Sequence, residues 1–453
     1  MLLGRTTELG YLNNYYDRDG SQILIVYGQK HIGKTALVKE FMKDRPGYYY
    51  LASACSEREQ AYQWGRQLTH DGYVVEKFPA FQEIFEKIAY RVTGKKVLVI
   101  DEFQNIVRAS ETFMKELVAF VHSQWNRDDV MVVLVSSSIG WIENSMITRI
   151  GEAAYELSGL LKIKEMPFAD LVERFPNFRI EECVEAYAIL GGIPGLWNQF
   201  DDRLTIQQNI CRNILDCNSF LFEEGERILT EQLREPGVYN TIMASIAAGN
   251  HKLNDLHQHT EFSRAKISVY LKNLIELELV EKVFSYDTAG KENVQKGIYR
   301  ISHPFVDFYY TYMYPHLSDL QMLSVGEFYN HYIMRDFRRY VSGYFKRVCR
   351  QHLTRLGDRH RLPINCGTIG EWIGKVGTLD IIAQDEEGRT LIGLCNWEKP
   401  MTYEDYENLL LYAKKAKISA DYIYMYTAFR FDEKLNLEAK VKSNLKLVQI
   451  SDL

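Results

Sequence analysis

The 453-residue chain has only 10 prolines and 29 glycines, too few for a collagenous or linker-dominated protein. Its longest apolar runs, residues 23–27 and 131–135, fall far short of the roughly 20 residues a membrane helix needs. The opening MLLGRTTEL has no basic segment before an apolar stretch, so no secretory signal is expected. Seven cysteines, an odd number with no CxxC pair, form neither a disulfide framework nor a zinc motif. Reduced thiols in a cytoplasmic protein are the expectation. An overall excess of positive charge is also missing: the net charge is −6, which argues against a generic nucleic-acid coat. What is present is ordinary globular composition, 46% hydrophobic and 25% charged, in a length that suggests about three domains.

Short apolar strands alternate with amphipathic helical stretches from residue 20 to about 165, the pattern of an α/β fold with a parallel sheet covered by helices. The strands read as 23–27, 47–52, 97–100 and 131–136, with a fifth at 161–165. From 170 to 230 the pattern is helical, broken at Gly191-Gly192-Ile193-Pro194, where a turn is required. Tyr239, Ile242, Met243 and Ile246 mark one helical face and Ile267, Tyr270, Leu271 and Leu274 another. With a short polar helix between them, and strands at 280–286 and 297–302 joined by a polar loop, they compose a winged helix-turn-helix. An aromatic helix from Phe305 follows, then a basic stretch, then strands at 379–383, 391–396, 421–427 and 445–450. The basic stretch, Arg335 to Arg361, holds nine Lys/Arg against Asp336 and Asp358. Its interleaved aromatics fit a helix with a solvated basic face, while the charge also fits a phosphate-contacting surface.

The strongest motif is GQKHIGKT, set between the strand ILIVY and the helix ALVKEFM. It fits G-x-x-x-x-G-K-[ST] with strand and helix on the correct sides. Gly28 and Gly33 let the backbone curl so that N–H groups through Gln29, Lys30, His31, Ile32 and Ala36 can face phosphate oxygens. Lys34 is expected to bridge the β- and γ-phosphates and Thr35 to ligate Mg²⁺. VLVIDEFQ then ends an apolar strand in Asp101, a candidate for the Mg²⁺ shell, and Glu102, a candidate to orient and polarise the attacking water. The strand MVVLVSSS ends in Ser136–Ser138, where Ser137 could sense the γ-phosphate or water, although such strand ends are also ordinary turns. The NKxD signature for guanine is absent, which favours ATP.

Together, LLGRTTEL, GQKHIGKT, LVIDEFQ, LKIKEMPFADL, YAILGGIPGLW, ISVYLKNLIELELVEK, YRISHPFVDFYY and TLDIIAQ…LIGLCNWEKP resemble the archaeal-type AAA ATPases of the STAND-related branch. The resemblance covers nearly the whole chain. It implies a P-loop AAA-type core over 1–168, a helical lid over 169–232, a winged helix over 233–303 and, over 304–453, an α/β domain akin to the restriction-endonuclease or PD-(D/E)XK nuclease fold. It further implies that Leu3, Gly4, Arg5 and Pro194 hold the nucleotide base. Two departures stand out. Leu160 occupies the position of an expected arginine finger, which leaves Arg149 as a substitute and implies slow hydrolysis. In the C-terminal domain Lys346, Leu394 and Asn396 replace expected Glu, Glu and Lys, so only Asp380 remains and nuclease activity is expected to be lost.

Three functions follow. The first is an ATP-driven conformational switch that controls the winged helix and C-terminal domain and self-associates. The second is a nucleic-acid processing enzyme in which hydrolysis drives a nuclease or DNA-binding domain. The third is a nucleotide-dependent scaffold. Nucleic acid could contact Arg335–Arg361 or the winged helix, whose recognition helix mixes Arg264, Lys266 and Lys272 with Glu276 and Glu278. No membrane partner is expected.

Overall fold

The computed structural model describes residues 3–90, 94–124, 129–231, 233–286, 297–374 and 377–453. The chain divides into two compact units, Met1–Glu165 with Ile193–Gly195, and Met166–Gly192 with Leu196–Leu453.

The first unit is built on β1 (Gln22–Tyr27), β2 (Gly47–Leu51), β3 (Lys96–Asp101), β4 (Val130–Ser136) and β5 (Gly159–Lys162) in the order β2-β3-β4-β1-β5. Every pairing is parallel. All residues of β3 and β4 are buried, which is why KVLVID and VMVVLVS are near-continuous apolar runs rather than alternating ones. One face is covered by helices that contribute Trp64, Phe85 and Phe113, with Tyr50 of β2 stacked on Trp64 at a centroid distance of 4.0 Å. The fifth strand begins two residues before its expected start. Pairing with β1 is already established at Ser158, whose N–H donates to the Ile23 carbonyl at 2.8 Å and whose hydroxyl accepts from the Ile23 N–H at 3.0 Å.

In the second unit, helices Pro236–Ala247, Leu253–Thr260 and Arg264–Glu276 precede an antiparallel pair, β6 (Val280–Phe284) and β7 (Gly297–Ile301), with Val280 opposite Ile301. The expected polar loop between these strands lies largely outside the described residues. The aromatic helix Pro304–Phe308 runs on into a wider π-helical turn at Tyr309–Met313. Most of the basic stretch forms the helix Phe337–Asp358, which buries Phe337, Val341, Phe345, Val348, Cys349 and Leu353 at helical spacing.

That long helix is followed by β8 (Cys366–Gly374), β9 (Gly377–Asp385), β10 (Thr390–Asn396), β11 (Tyr422–Thr427) and β12 (Leu445–Gln449), ordered β12-β11-β10-β9-β8. The pairs β8–β9 and β9–β10 are antiparallel, and β10–β11 and β11–β12 are parallel. Helices Tyr403–Ala416 and Glu433–Val441 carry the crossovers between the parallel strands. β8 has no counterpart among the expected strands. Its sequence CGTIGEWIG is interrupted by three glycines and its register with β9 shifts twice, so no clean alternation betrays it.

Candidate nucleotide site

The loop joining β1 to the helix Lys34–Met42 is held in shape by its glycines and by the segments around it. A Cβ on Gly28 would sit 2.5 Å from the Ile163 carbonyl oxygen, and Gly33 caps the helix at φ 97°, in the left-handed region. Arg5 is buried and donates to the Ile32 carbonyl at 2.9 Å and to Glu8 at 2.7 Å, so its guanidinium braces the loop backbone. Gly195 N–H donates to the His31 carbonyl at 2.9 Å, which brings the turn containing Pro194 against the same loop. Leu3 and Gly4 lead into the helix Thr6–Tyr16 ahead of Arg5.

Inside the loop, the Lys34 ammonium donates to the carbonyls of Gly28 at 2.9 Å and Gln29 at 2.7 Å. Burial pulls its pKa down to about 8, although Glu102 and Asp101 pull the other way. The Thr35 hydroxyl donates to Asp101 Oδ2 at 2.8 Å, and the Tyr49 hydroxyl donates to the same oxygen at 2.7 Å. Tyr49 reaches Asp101 because β2 pairs with β3, placing Leu51 opposite Asp101. The next residue, Glu102, has φ 53°, and its Oε2 accepts from the Ser137 hydroxyl at 2.7 Å, from Ser137 N–H at 3.3 Å and from Gln104. β4 lies between β1 and β3, so Ser136 to Ser138 at its C-terminal end fall between the loop and the two acids. The arrangement thus gathers Lys34, Thr35, Asp101, Glu102 and Ser137.

Arg149 is directed elsewhere. Its Nε donates to the Val107 carbonyl at 3.2 Å and its guanidinium lies 3.6 Å from Glu111, on the helix Gln104–Ala109 and just beyond it. The cation on the Glu102 side is Arg108, which donates to Ser138 Oγ at 3.2 Å. Burial lowers the Arg108 pKa and the charge of Glu102 opposes that shift. Arg108, Tyr49 and Gln104 were not singled out in the sequence, because their roles depend on strand and helix placement rather than on a motif.

The donor set fits a magnesium nucleotide. Thr35 and Asp101 offer adjacent hard oxygen ligands, and Mg²⁺ is commonly held by one or two carboxylates together with water and substrate phosphates. Among the described residues no group of three or more His, Cys, Asp or Glu converges as a metal cage.

Residues 2–200 match a family described as an ATPase domain predominantly from Archaea. The N-terminal part of the chain is thus similar to an ATPase domain. Downstream, residues 309–410 match a family of archaeal and bacterial proteins of unknown function. An uncharacterized protein of Methanocaldococcus jannaschii is 27% identical over 425 residues, covering 93% of each chain. Among solved structures, a Walker-type ATPase of Pyrococcus abyssi is 17% identical with a TM-score of 0.48, covering 68% of this chain and 96% of its own. The ORC2 protein of Aeropyrum pernix, solved as ADPNP and ADP complexes, is 14% identical with a TM-score of 0.49, covering 71% and 95%. No helix among the described residues is long and apolar enough to cross a membrane.

Proposed function

We propose that the protein is a nucleotide-driven switch: it binds ATP with Mg²⁺ at the loop of residues 28–36, hydrolyses it slowly, and uses the difference between the two states to control its C-terminal modules. The observation that carries the reading is the pair of contacts beyond the loop, Thr35 with Asp101 at 2.8 Å and Glu102 with Ser137 at 2.7 Å. The first sets out ligands for the metal and the second fixes the direction of a carboxylate placed to orient and polarise water, which a purely binding scaffold would not require. Lys34 supplies the counter-charge for the β- and γ-phosphates. The backbone N–H groups of Gly28 to Ala36 supply the cradle, and Leu3, Gly4, Arg5 and Pro194 border the base. Bound Mg²⁺ would neutralise developing phosphate charge; the chain's own part is to hold the phosphates, orient water through Glu102 and keep Glu102 aligned through Ser137. Arg108 feels the charge of Glu102, and Arg149 donates to the Arg108 carbonyl at 3.4 Å.

Slow turnover follows from Leu160, an apolar side chain where the resemblance calls for an arginine. The three helices with β6 and β7 are read as a winged helix. Its third helix has mixed charge, with Lys272 spent on Glu276 at 3.8 Å, which supports packing or partner contact more than duplex reading. The order of long helix, three antiparallel strands, helix and parallel strand supports a nuclease-like C-terminal domain. There Lys346 Nζ lies 2.7 Å from Asp380 Oδ1, so an ammonium stands against the one remaining acid.

The test is nucleotide binding and turnover of two variants. Lys34→Ala is expected to lose tight ATP binding, and Glu102→Gln to keep binding while turnover falls by at least about 100-fold. Equal loss of binding in both variants would refute the division of roles.

A further inference from the structure

The second unit contains a cavity of about 460 Å³ where β7, the long helix and β8 meet. Five cationic side chains line it: Arg300 from β7, and Arg339, Lys346, Arg347 and Arg350 from the long helix. The helical four lie at intervals that share one face, and Gly343 sits among them with nothing within 4 Å of where a Cβ would be. The helix therefore presents a gap beside its cationic side chains rather than a continuous ridge.

Four acids, Glu281, Asp307, Asp336 and Glu371, also line the cavity, and those paired with the cations hold them in place. Glu371 of β8, only 12% exposed in its side chain, engages Arg300 through one oxygen and lies 3.9 Å from Arg350 through the other. One carboxylate thus fixes two guanidinia, each of which has five N–H donors and keeps several for a ligand. Lys346 is seated on Asp380, and Arg339 is paired with Asp336 at 2.9 Å. Asp307 is enclosed, accepts from the Tyr344 hydroxyl at 2.8 Å, and is pushed by burial to a pKa of about 7, which removes part of its charge at neutral pH.

We infer that this cavity binds a small phosphorylated ligand of mononucleotide size, at a site separate from the nucleotide loop. Guanidinium forks arriving from two elements suit the several oxygens of one phosphate group. The volume admits a sugar and base beside that phosphate. A strand of nucleic acid lying across the surface would call for exposed cations; Arg339 is 75% exposed, whereas the side chains of Arg300, Lys346 and Arg350 are 35%, 33% and 25% exposed. A ligand here would tie the two-stranded sheet to the long helix and β8.

The test uses the full chain carrying Lys34→Ala, without Mg²⁺, so that the nucleotide loop contributes little and failure of one site is not mistaken for failure of the other. Titration with AMP at low salt is expected to show one saturable site with a Kd below about 1 mM, tighter than for inorganic phosphate. Two further substitutions should each weaken AMP by at least about tenfold. Arg350→Gln removes a donor fork, while Gly343→Leu fills the cavity, leaves every charge in place and improves helix propensity, so it keeps the fold. No saturation up to about 10 mM, or AMP binding unchanged in both variants, would overturn the inference. So would citrate binding as tightly as AMP with the same sensitivity. A short single-stranded DNA that binds through these residues while AMP does not would also overturn it, in favour of a nucleic-acid surface.

Discussion

Lys34 carries its charge in a place that disfavours it, since burial has lowered its pKa to about 8. A bound triphosphate reverses that preference, because the ammonium then faces several negative oxygens. Binding above pH 8 must therefore take up a proton, and ATP affinity should be flat up to about pH 7 and fall by about tenfold near pH 9. Calorimetry in two buffers of different ionisation enthalpy would reveal the proton; equal affinity at pH 7 and 9 would contradict the account. In the ligand-free protein the sign is opposite. The unfolded chain holds the Lys34 proton more tightly than the folded one, so this residue's contribution to stability improves as pH rises from about 8 towards the ordinary lysine range. At this scale the sequence was legible where chemistry dictates spacing, as in Gly28, Gly33, Lys34 and Thr35, or where an apolar strand ends in acids, as at Asp101 and Glu102. Tyr49 and Gln104 were not legible. Each acts across a gap that only β2–β3 pairing or the turn after Glu102 closes, and tyrosine in a strand is otherwise an ordinary packing residue.

Among the elements, β5 decides what Leu160 can do. Among the described residues the strand pairs only with β1, at the edge of its sheet, and Leu160 is 46% exposed there. An arginine at this position could reach a nucleotide only if this edge faces that of a neighbouring copy. Leu160→Arg should accordingly raise ATP turnover per chain, and the gain should grow with protein concentration as copies associate. A rate unchanged at every concentration, with folding intact, would show that the position has no catalytic part. The same scale shows where periodicity speaks and where it fails. The apolar runs behind β1, β3 and β4 were readable because a buried parallel strand has no solvent face to interrupt it. β8 escaped because glycines and register shifts break its alternation. The long helix was readable from its aromatic spacing, but not the fate of its basic face. Arg347 and Arg350 line a cavity and Lys346 rests on Asp380, while Arg335, Arg338, Arg339, Arg359 and Arg361 are exposed, so the basic stretch is part engaged and part solvated.

For the whole molecule, the decisive question is whether the C-terminal sheet can hold a catalytic metal ion. A catalytic divalent ion in such a domain needs clustered oxygen ligands and an open position for water. Asp380 is 5% exposed, and both of its oxygens are already used: Oδ1 by the Lys346 ammonium at 2.7 Å and Oδ2 by the Cys395 N–H at 3.0 Å. Leu394 and Asn396, flanking Cys395 on β10, bring no carboxylate, and Glu371 is committed to Arg300 and Arg350. A metal would have to displace an ammonium that already balances the one acid, and would find no second carboxylate among these neighbours to repay its lost water. Incubation with single- and double-stranded DNA or RNA, with Mg²⁺ or Mn²⁺ and ATP, should therefore give no cleavage. Cleavage that disappears in Asp380→Ala would overturn this reading. The pair should instead register in stability. Removing the carboxylate leaves Lys346 partly buried without its counter-charge, so Asp380→Asn should lower the unfolding free energy by about 1–2 kcal/mol, less than for a fully buried pair because a third of Lys346 meets water. Denaturant melts of the single variants and of the double variant Lys346→Met/Asp380→Asn would separate the two roles. Recovery of stability in the double variant identifies a structural ion pair, whereas equal stability of all four proteins would mean that the ammonium and the carboxylate do not depend on each other.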